Sequence, residues 1–467
     1  MKPVNGLGHL ATARLRTAAA LRKSASGSPA ALQTLRLALP AAGEQMLGMM
    51  VGIVDTFLVG HIGAAALAAV GLANQWVMLT NALFGAIGVG STALIARSVG
   101  AKDSLLANRV LRQSVLVGAA IGLVATVLGT TLARPAVALM GAEPEALGPG
   151  TTYLRIVSVV FLPATLMFIC NAAMRGAGDT RTPLRIMFIV NGINIVVAWS
   201  LINGAFGLPR MGVAGSAIGA ATARMMGGVL AVSTLARGRG ILRLVLDKLR
   251  PDWDLIKRIL RVGVPSGLEQ LLFRFGQMSY ARVVATLGTA AFAAHQVALN
   301  AESLSYMPGF GFAVAATTLV GQALGAQNPK EAERNGYTAF AIGAALMGLM
   351  GVIFILFPLP LVSFFTSDPQ VIALGTGPLR IVGLAQPALA ATMIINGALR
   401  GAGDTRYPLY IVAGCIWGIR VPLAILFITV LGLGLEWAWV AMSVDLFFRG
   451  LFAFLRYRGG KWKSIQV

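Results

Sequence analysis

RGAGDTRTPL (residues 175–184) returns as RGAGDTRYPL (residues 400–409). Arg175 and Arg400 lie 225 positions apart, and the same offset links residues far from the motif. It pairs Pro40 with Pro265, Glu44-Gln45 with Glu269-Gln270, Gly63 with Gly288 and Gly100 with Gly325. It also pairs Arg109 with Arg334, Pro144 with Pro369, Arg155 with Arg380 and Asn171 with Asn396. A register kept over that span without a net insertion is an internal duplication. The phrase itself has two readings, a glycine loop that cradles phosphate or a joint between helices. A phosphate loop needs a preceding strand and a GxGxxG or GxxxxGK[ST] pattern, and GAGDTR has neither. As a joint, Gly176 and Gly178 supply the left-handed geometry that ends a helix. Thr180 then stands as N-cap of the next helix, with Pro183 in its first turn.

Composition sets the solvent. Of 467 residues, 57% are hydrophobic and 12% charged, and the mean hydropathy is +0.77. A soluble domain carries about 25% charged residues. Apolar runs such as 113–133, 184–202, 336–365 and 409–435 are long enough to cross a hydrocarbon core of about 30 Å as helices. They do not alternate as barrel strands would. The expected fold is an all-α polytopic membrane protein of twelve transmembrane helices. They fall near 33–60, 66–98, 104–133, 147–174, 180–203 and 212–236, then near 258–285, 291–323, 329–365, 372–399, 405–430 and 435–457. Six is even, so the two halves enter the membrane in the same direction and form parallel repeats. The expected domains are a basic tail over 1–32, an amino-terminal lobe over 33–236 and an amphipathic linker over 237–257. A carboxy-terminal lobe over 258–457 and a tail over 458–467 complete the chain.

A net charge of +21 would suggest nucleic acid in a soluble protein, but its placement argues for orientation. Arg97, Lys102, Arg109, Arg112, Arg175, Arg181, Arg185, the run from Arg237 to Arg261, Lys330, Arg334, Arg400, Arg406 and Arg456–Lys463 fall on one side. The opposite loops hold Arg134 and Arg210 among Glu143, Glu145, Asp368 and Glu436. This is the positive-inside pattern, with both termini cytoplasmic, the cell (inner or plasma) membrane as location and no nucleic-acid partner. The acid-free first 35 residues lack a signal-peptide h-region; they read as a cytoplasmic tail, with a transit peptide as the alternative. Cys170 and Cys415 suggest neither a disulfide framework nor a zinc site. Three histidines without HExxH spacing give no catalytic constellation, so neither an enzyme nor a cofactor is expected, and the chain reads as a monomer.

An ionisable group inside a membrane helix costs at least about 2.5–3.5 kcal/mol, so each is a functional candidate weighed against a structural pair. Asp55 leads, because its repeat position is Tyr280 and the carboxylate is therefore not part of the shared scaffold. A structural, hydrogen-bonded aspartate is the alternative. Glu44 and Glu269 are candidates to line the cavity, but they are repeat-related, which favours a structural role, with Arg155 and Arg380 as their expected partners. Gln270, His295, Glu302, Arg420 and Asp445 are candidates to line a cavity in the second half. Asp445 is alternatively a partner for Arg449, one turn away. His295 has hydrogen-bonded packing as its other reading. Met46, Met49 and Met50 suit a polyspecific apolar cavity or simple core filling.

Two parallel six-helix repeats with this joint after helices 4 and 10 resemble the multidrug and toxic compound extrusion (MATE) family. The motifs that carry the likeness are VDTFLVGHIG (54–63), GSTALIARSVGAKD (90–103), both copies of RGAGDTR, AAHQVALN (293–300) and LVGQALGAQN (319–328). The resemblance covers roughly residues 33–457. It implies a V of two lobes, alternating access, and exchange of an H⁺ or Na⁺ gradient for amphiphilic, often cationic compounds. In the DinF-like branch the residue matching Asp55 binds the coupling cation and a proline matching Pro40 lets helix 1 bend. The branch's site asparagine matches Asn194, whereas two further oxygen ligands fall on Ala198 and Ala220. Sodium must replace its water shell with several oxygens, so this loss favours H⁺. Asn191, Ser216 and Thr222 are substitutes that keep Na⁺ at Asp55 open. The NorM-like carboxylate positions in helices 7 and 10 fall on Phe273 and Leu389, which favours the DinF-like assignment. A lipid-linked oligosaccharide flippase of the same superfamily is the rival function.

Overall fold

In a computed structural model the structure describes residues 29–466, apart from 239 and 246–249. The expected tail therefore lies outside the described residues up to 28, and so does part of the linker. Among the described residues there are helices and no strand. The first half comprises α1 (Pro29–Gly60), α2 (Ala64–Gly100), α3 (Ser104–Thr131), α4 (Ala133–Leu139), α5 (Pro144–Val159), α6 (Phe161–Gly176), α7 (Arg181–Asn203) and α8 (Val213–Ala236). The second comprises α9 (Trp253–Ala285), α10 (Thr289–Gly325), α11 (Pro329–Leu356), α12 (Pro358–Ser363), α13 (Pro369–Ala390), α14 (Asn396–Gly401), α15 (Arg406–Cys415), α16 (Val421–Ala424) and α17 (Leu435–Arg458).

Ten spans are long and apolar enough to cross a membrane, and α5 with α6, bent by 54°, adds an eleventh. The twelfth is α9, whose Lys257, Arg258, Arg261, Glu269, Arg274 and Arg282 make it too polar to qualify alone. Its place as the repeat partner of α1 completes two sets of six. The helix expected over 329–365 is broken at Phe357, where Pro358 opens α12. Helix α1 begins at Pro29, ahead of the expected 33. Helix α9 begins at Trp253, so the linker is shorter than expected and ends at Asp252, which caps α9 by accepting from the Leu255 amide. The Arg109 guanidinium, hydrogen-bonded to Asp252 at 2.7 Å, holds that carboxyl below its usual range.

The backbone repeats as the sequence does. Left-handed glycines recur at Gly63 and Gly288 and at Gly178 and Gly403, and even the non-glycine Lys102 (φ 57°) has its counterpart in Gln327 (φ 55°). At the joint, α6 runs on to Gly176 and only Gly178 turns left-handed. The cap differs from expectation. Thr180 makes no side-chain capping bond; Asp179 accepts from the Thr182 amide at 3.0 Å and from its hydroxyl at 2.6 Å. A carboxylate is the stronger acceptor for a helix's unpaired first amides. The halves differ where α13 passes to α14 and where α15 and α16 end, because widened π-helical turns occur there at Ala391–Ile395, Ile416–Arg420 and Ile425–Val430.

Two ion pairs, each between a buried glutamate and a half-buried arginine, tie the joints to the helices beside them. Arg175 reaches Glu44 at 2.5 Å, and its repeat partner Arg400 reaches Glu269 at 2.6 Å. The motif's own arginines thus take the role expected of Arg155 and Arg380, which are exposed. The lobes meet at the joint end of the bundle. Across that contact Thr318 donates to the Arg175 carbonyl at 2.9 Å, Gln322 to the Gly176 carbonyl at 3.2 Å, and Arg97 to the Ala402 carbonyl at 3.1 Å. A side chain at Gly100 would run into the backbone of Gln322, and one at Gly325 into the backbone of Arg97.

Replacing Glu44 by Ala leaves the half-buried Arg175 without its counter-charge. It is expected to cost about 3–5 kcal/mol in reversible unfolding in detergent, and a Glu44→Leu/Arg175→Met double substitution is expected to recover most of the loss. Equal losses in both would mean that the pairing does not carry the effect. Gly325→Val is expected to hold the joint ends apart, read as a longer spin-label distance between them. An unchanged distance would count against the close approach.

Candidate functional site

Asp55 sits in the far half of α1, buried at 3% exposure and fifteen residues beyond Pro40, about 22 Å along a helix. Its direct hydrogen-bond partner is neutral: Asn194 of α7 donates from Nδ2 to Asp55 Oδ1 at 3.2 Å. The structure thus brings together two of the residues singled out in the sequence. Asn191 lies one turn earlier on α7, but its Nδ2 donates to the Met187 carbonyl of its own helix at 2.9 Å. Ser216 is buried, with its hydroxyl unpaired, whereas Thr222 is exposed. Ala198 and Ala220 are fully buried carbon at positions where the resemblance would have oxygen.

Two neighbours were not singled out in the sequence. Tyr153 of α5 and Arg224 of α8 are both within electrostatic reach of Asp55. Tyr153 is fully buried with its hydroxyl unpaired. A tyrosine in an apolar run looks like filler, so nothing flagged it. Arg224 did carry a signal, since its repeat partner is Arg449. Pro40 lies within an unbroken α1.

The second half holds a different polar cluster. Asp445, with no exposed surface, lies between two arginines. Arg420 reaches its Oδ2 at 2.7 Å and Arg449 reaches the same oxygen at 2.8 Å. Gln277 of α9 accepts from Arg420 Nη1 at 2.6 Å, and the guanidinium lies 5.7 Å from the centre of the Tyr280 ring. Glu302 of α10 is buried within electrostatic reach of both arginines and makes no direct ion pair among the described residues. His295 is wedged edge-on between Tyr280 and Trp439, at ring-centre distances of 5.7 and 5.6 Å. Gln270 lies elsewhere, against Gly85 of α2. Glu44 and Glu269 belong to the joints. Phe273 carries Arg449 over its ring at 5.6 Å.

The position that is a carboxylate beside an amide in one lobe is therefore an aromatic ring under an arginine in the other. In the second lobe the acid sits on the last helix and is locked by two cations, while Asp55 is locked by none. Among the described residues no three His, Cys, Asp or Glu side chains are grouped to hold a metal ion. Cys170 and Cys415 are buried and unpaired.

Comparison with known proteins places this arrangement. The MatE family model matches residues 40–200 and again 265–426, two matches that begin 225 residues apart. A probable multidrug resistance protein NorM of Thermotoga maritima is 36% identical over 93% of this chain and 94% of its own length. The multidrug resistance protein NorM of Burkholderia vietnamiensis is 31% identical over 91% and 94%. The fold matches that of a multidrug resistance MATE family transporter of the MOP superfamily solved in an outward-facing conformation. The TM-score is 0.86 at 24% identity, covering 92% of this chain and 95% of that one. A MATE structure in a bent conformation matches with a TM-score of 0.85 over 91% and 94%. With its duplicated six-helix lobes, this chain belongs to the MatE family of multi-pass membrane transporters.

Proposed function

We propose that the protein is a proton-coupled antiporter that exports amphiphilic, cationic organic compounds by alternating access, with Asp55 as the coupling carboxylate. The observation that carries this reading is a buried acid, held by one neutral amide and without a direct ion pair among the described residues, at a position that is tyrosine in the other lobe. A buried charge without a counter-charge is unfavourable in a membrane interior, which suits such a group to taking up a proton or a cation. The missing oxygens at Ala198 and Ala220, and an Asn191 turned to its own helix, favour a proton over sodium. The apolar residues Phe273 and Leu389 support the DinF-like branch, although the relatives above carry the NorM name. Met46 and Met50, exposed on α1, give a deformable apolar surface for substrates of varied shape.

In the reading proposed here the joint end is cytoplasmic, by its arginines, and the protein works as a monomer in the cell membrane. The described contacts between lobes gather at that end, which corresponds to a state closed to the cytoplasm. Asp55 deprotonated would hold a cationic substrate or the high-affinity state; neutral, with α1 bent near Pro40, it would release it.

Efflux of a fluorescent organic cation from proteoliposomes tests this under an imposed pH gradient and then a sodium gradient. Asp55→Asn is expected to insert normally and to abolish gradient-driven efflux, and full transport by that variant would sink the mechanism. Asn194→Ala removes a hydrogen bond to a charged group, worth about 1.5–3 kcal/mol, and is expected to slow efflux roughly tenfold or more. Glu302→Gln is expected to keep the gradient dependence and change which compounds are exported. Drive by sodium alone would transfer the coupling to Na⁺.

A further inference from the structure

The joint at residues 175–184 borders a cavity of 690 Å³ at the joint end of the bundle, distinct from the Asp55 site. Arg36 of α1 and Arg181 and Arg185 of α7 line it. All three are exposed, and no carboxylate among the described residues forms an ion pair with them. Asp179 also borders it, and its carboxylate accepts from the Thr182 amide and hydroxyl at the start of α7. Leu37, Val99 and Leu319 give the cavity an apolar floor, which a soluble ion would not need. Leu319 and Gln322 come from α10 of the opposite lobe, so the cavity has walls from both lobes.

The duplication supplies an internal control. At the repeat of this joint the chain covers itself. Asp404, the counterpart of Asp179, is paired with Arg456 at 2.8 Å, Arg97 donates to the Ile465 carbonyl at 2.8 Å, and Trp462 is fully buried. Tyr410 stands where Arg185 would be. Nothing among the described residues plays that covering part at the first joint. The basic residues 1–28 contain no acid, so they cannot supply counter-charges to three arginines.

We propose that this cavity binds a phosphate-bearing anion, the headgroup of an anionic phospholipid of the cytoplasmic leaflet. Two cations in the first turns of α7 and a third on α1, above an apolar floor, fit a phosphodiester whose acyl chains continue into the bilayer. Because both lobes contribute walls, an occupied cavity favours the state in which the joint ends touch. The assignment to the cytoplasmic leaflet rests on the orientation proposed above, but binding does not, since nanodiscs expose both faces.

The full chain is placed in phosphatidylcholine nanodiscs with and without phosphatidylglycerol, and bound lipid is read by native mass spectrometry after extraction. Wild-type protein is expected to retain phosphatidylglycerol over phosphatidylcholine. At about fivefold per arginine, the Arg36→Gln/Arg181→Gln/Arg185→Gln variant is expected to lose that retention on the order of 100-fold. Lysine at the same three positions keeps the charge, is expected to retain most of the binding, and serves if the glutamine variant fails to insert. Lys257→Gln/Lys330→Gln/Arg334→Gln, at exposed sites of the same end, is expected to change little. No preference in the wild type, or equal loss in the control, would overturn the site. Displacement of the lipid by millimolar inorganic phosphate would overturn the lipid as occupant and assign the cavity to a soluble phosphate.

Discussion

Helices α1 and α9 each divide their length between the two lobes, and this crossing is the constraint on which the rest of the structure depends. Ala38 of α1 belongs to the core built by α10, α11 and α14, whereas Val59 of the same helix belongs to the core around α2 and α5. Helix α9 does the reverse, with Ile259 and Val262 in the first lobe's core and Tyr280 and Val284 in the second's. Lipid offers no hydrophobic force to drive helices together, so the crossing must be held by close packing and polar contacts. Glycine provides the first: Gly311 admits the backbone of Ala38, and Gly263 admits that of Ala86. The second is provided by the paired glutamates and arginines and by side chains that reach backbone carbonyls across the lobes.

A duplicated scaffold makes its exceptions informative. Shared residues hold the joints, whereas the acids of the two polar centres are unshared and only the arginine pair Arg224 and Arg449 is common to both. Asp55 faces Tyr280 across the repeat, and Asp445 faces Ala220. The lobes have therefore diverged in charge at corresponding depths, one with an acid held by an amide and the other with an acid fixed by two guanidiniums. The π-helical turn at Ile416–Arg420 ends on Arg420 itself. Such turns recur at functional sites, and here the widened turn belongs to the lobe whose cluster the first lobe lacks.

Most of the architecture was legible because membrane helices and a duplication leave strong, redundant traces. The helix count and the repeat follow from spacing alone, and so does the left-handed turn at Gly178, though Gly176 stays helical. What spacing could not supply was the choice among nearby polar groups. Asp179 and Thr180 are both good caps, and only the chain's path decides between them. Arg155 and Arg175 are both repeat-related arginines, but one points outward and the other reaches Glu44. Tyr153 was silent because a buried tyrosine looks the same in sequence whether its hydroxyl meets a carboxylate or nothing. Asn191 and Asn194 look equivalent until the fold shows one amide bound to its own helix and the other to Asp55.

The crossing also suggests how a local event at Asp55 would be felt at the joint end. One rigid helix has its first turns anchored in the second lobe and its last turns, with Asp55, in the first. Pro40 falls between Ala38 and Ala42, which both pack on Gly311 of α10, and shortly before Gly43 meets Leu184 of α7; it lacks the amide that would complete the helix ladder there. A change at Asp55 that alters how α1 packs on α7 must then be taken up by bending near Pro40 or by shifting the contact with α10. In the mechanism proposed above the first outcome releases substrate and the second opens the joint end. The Arg36 that lines the cavity at the joint sits on the same helix, four residues before Pro40. An anion held there would stiffen the anchored segment and leave the bend to the part of α1 that carries the carboxylate.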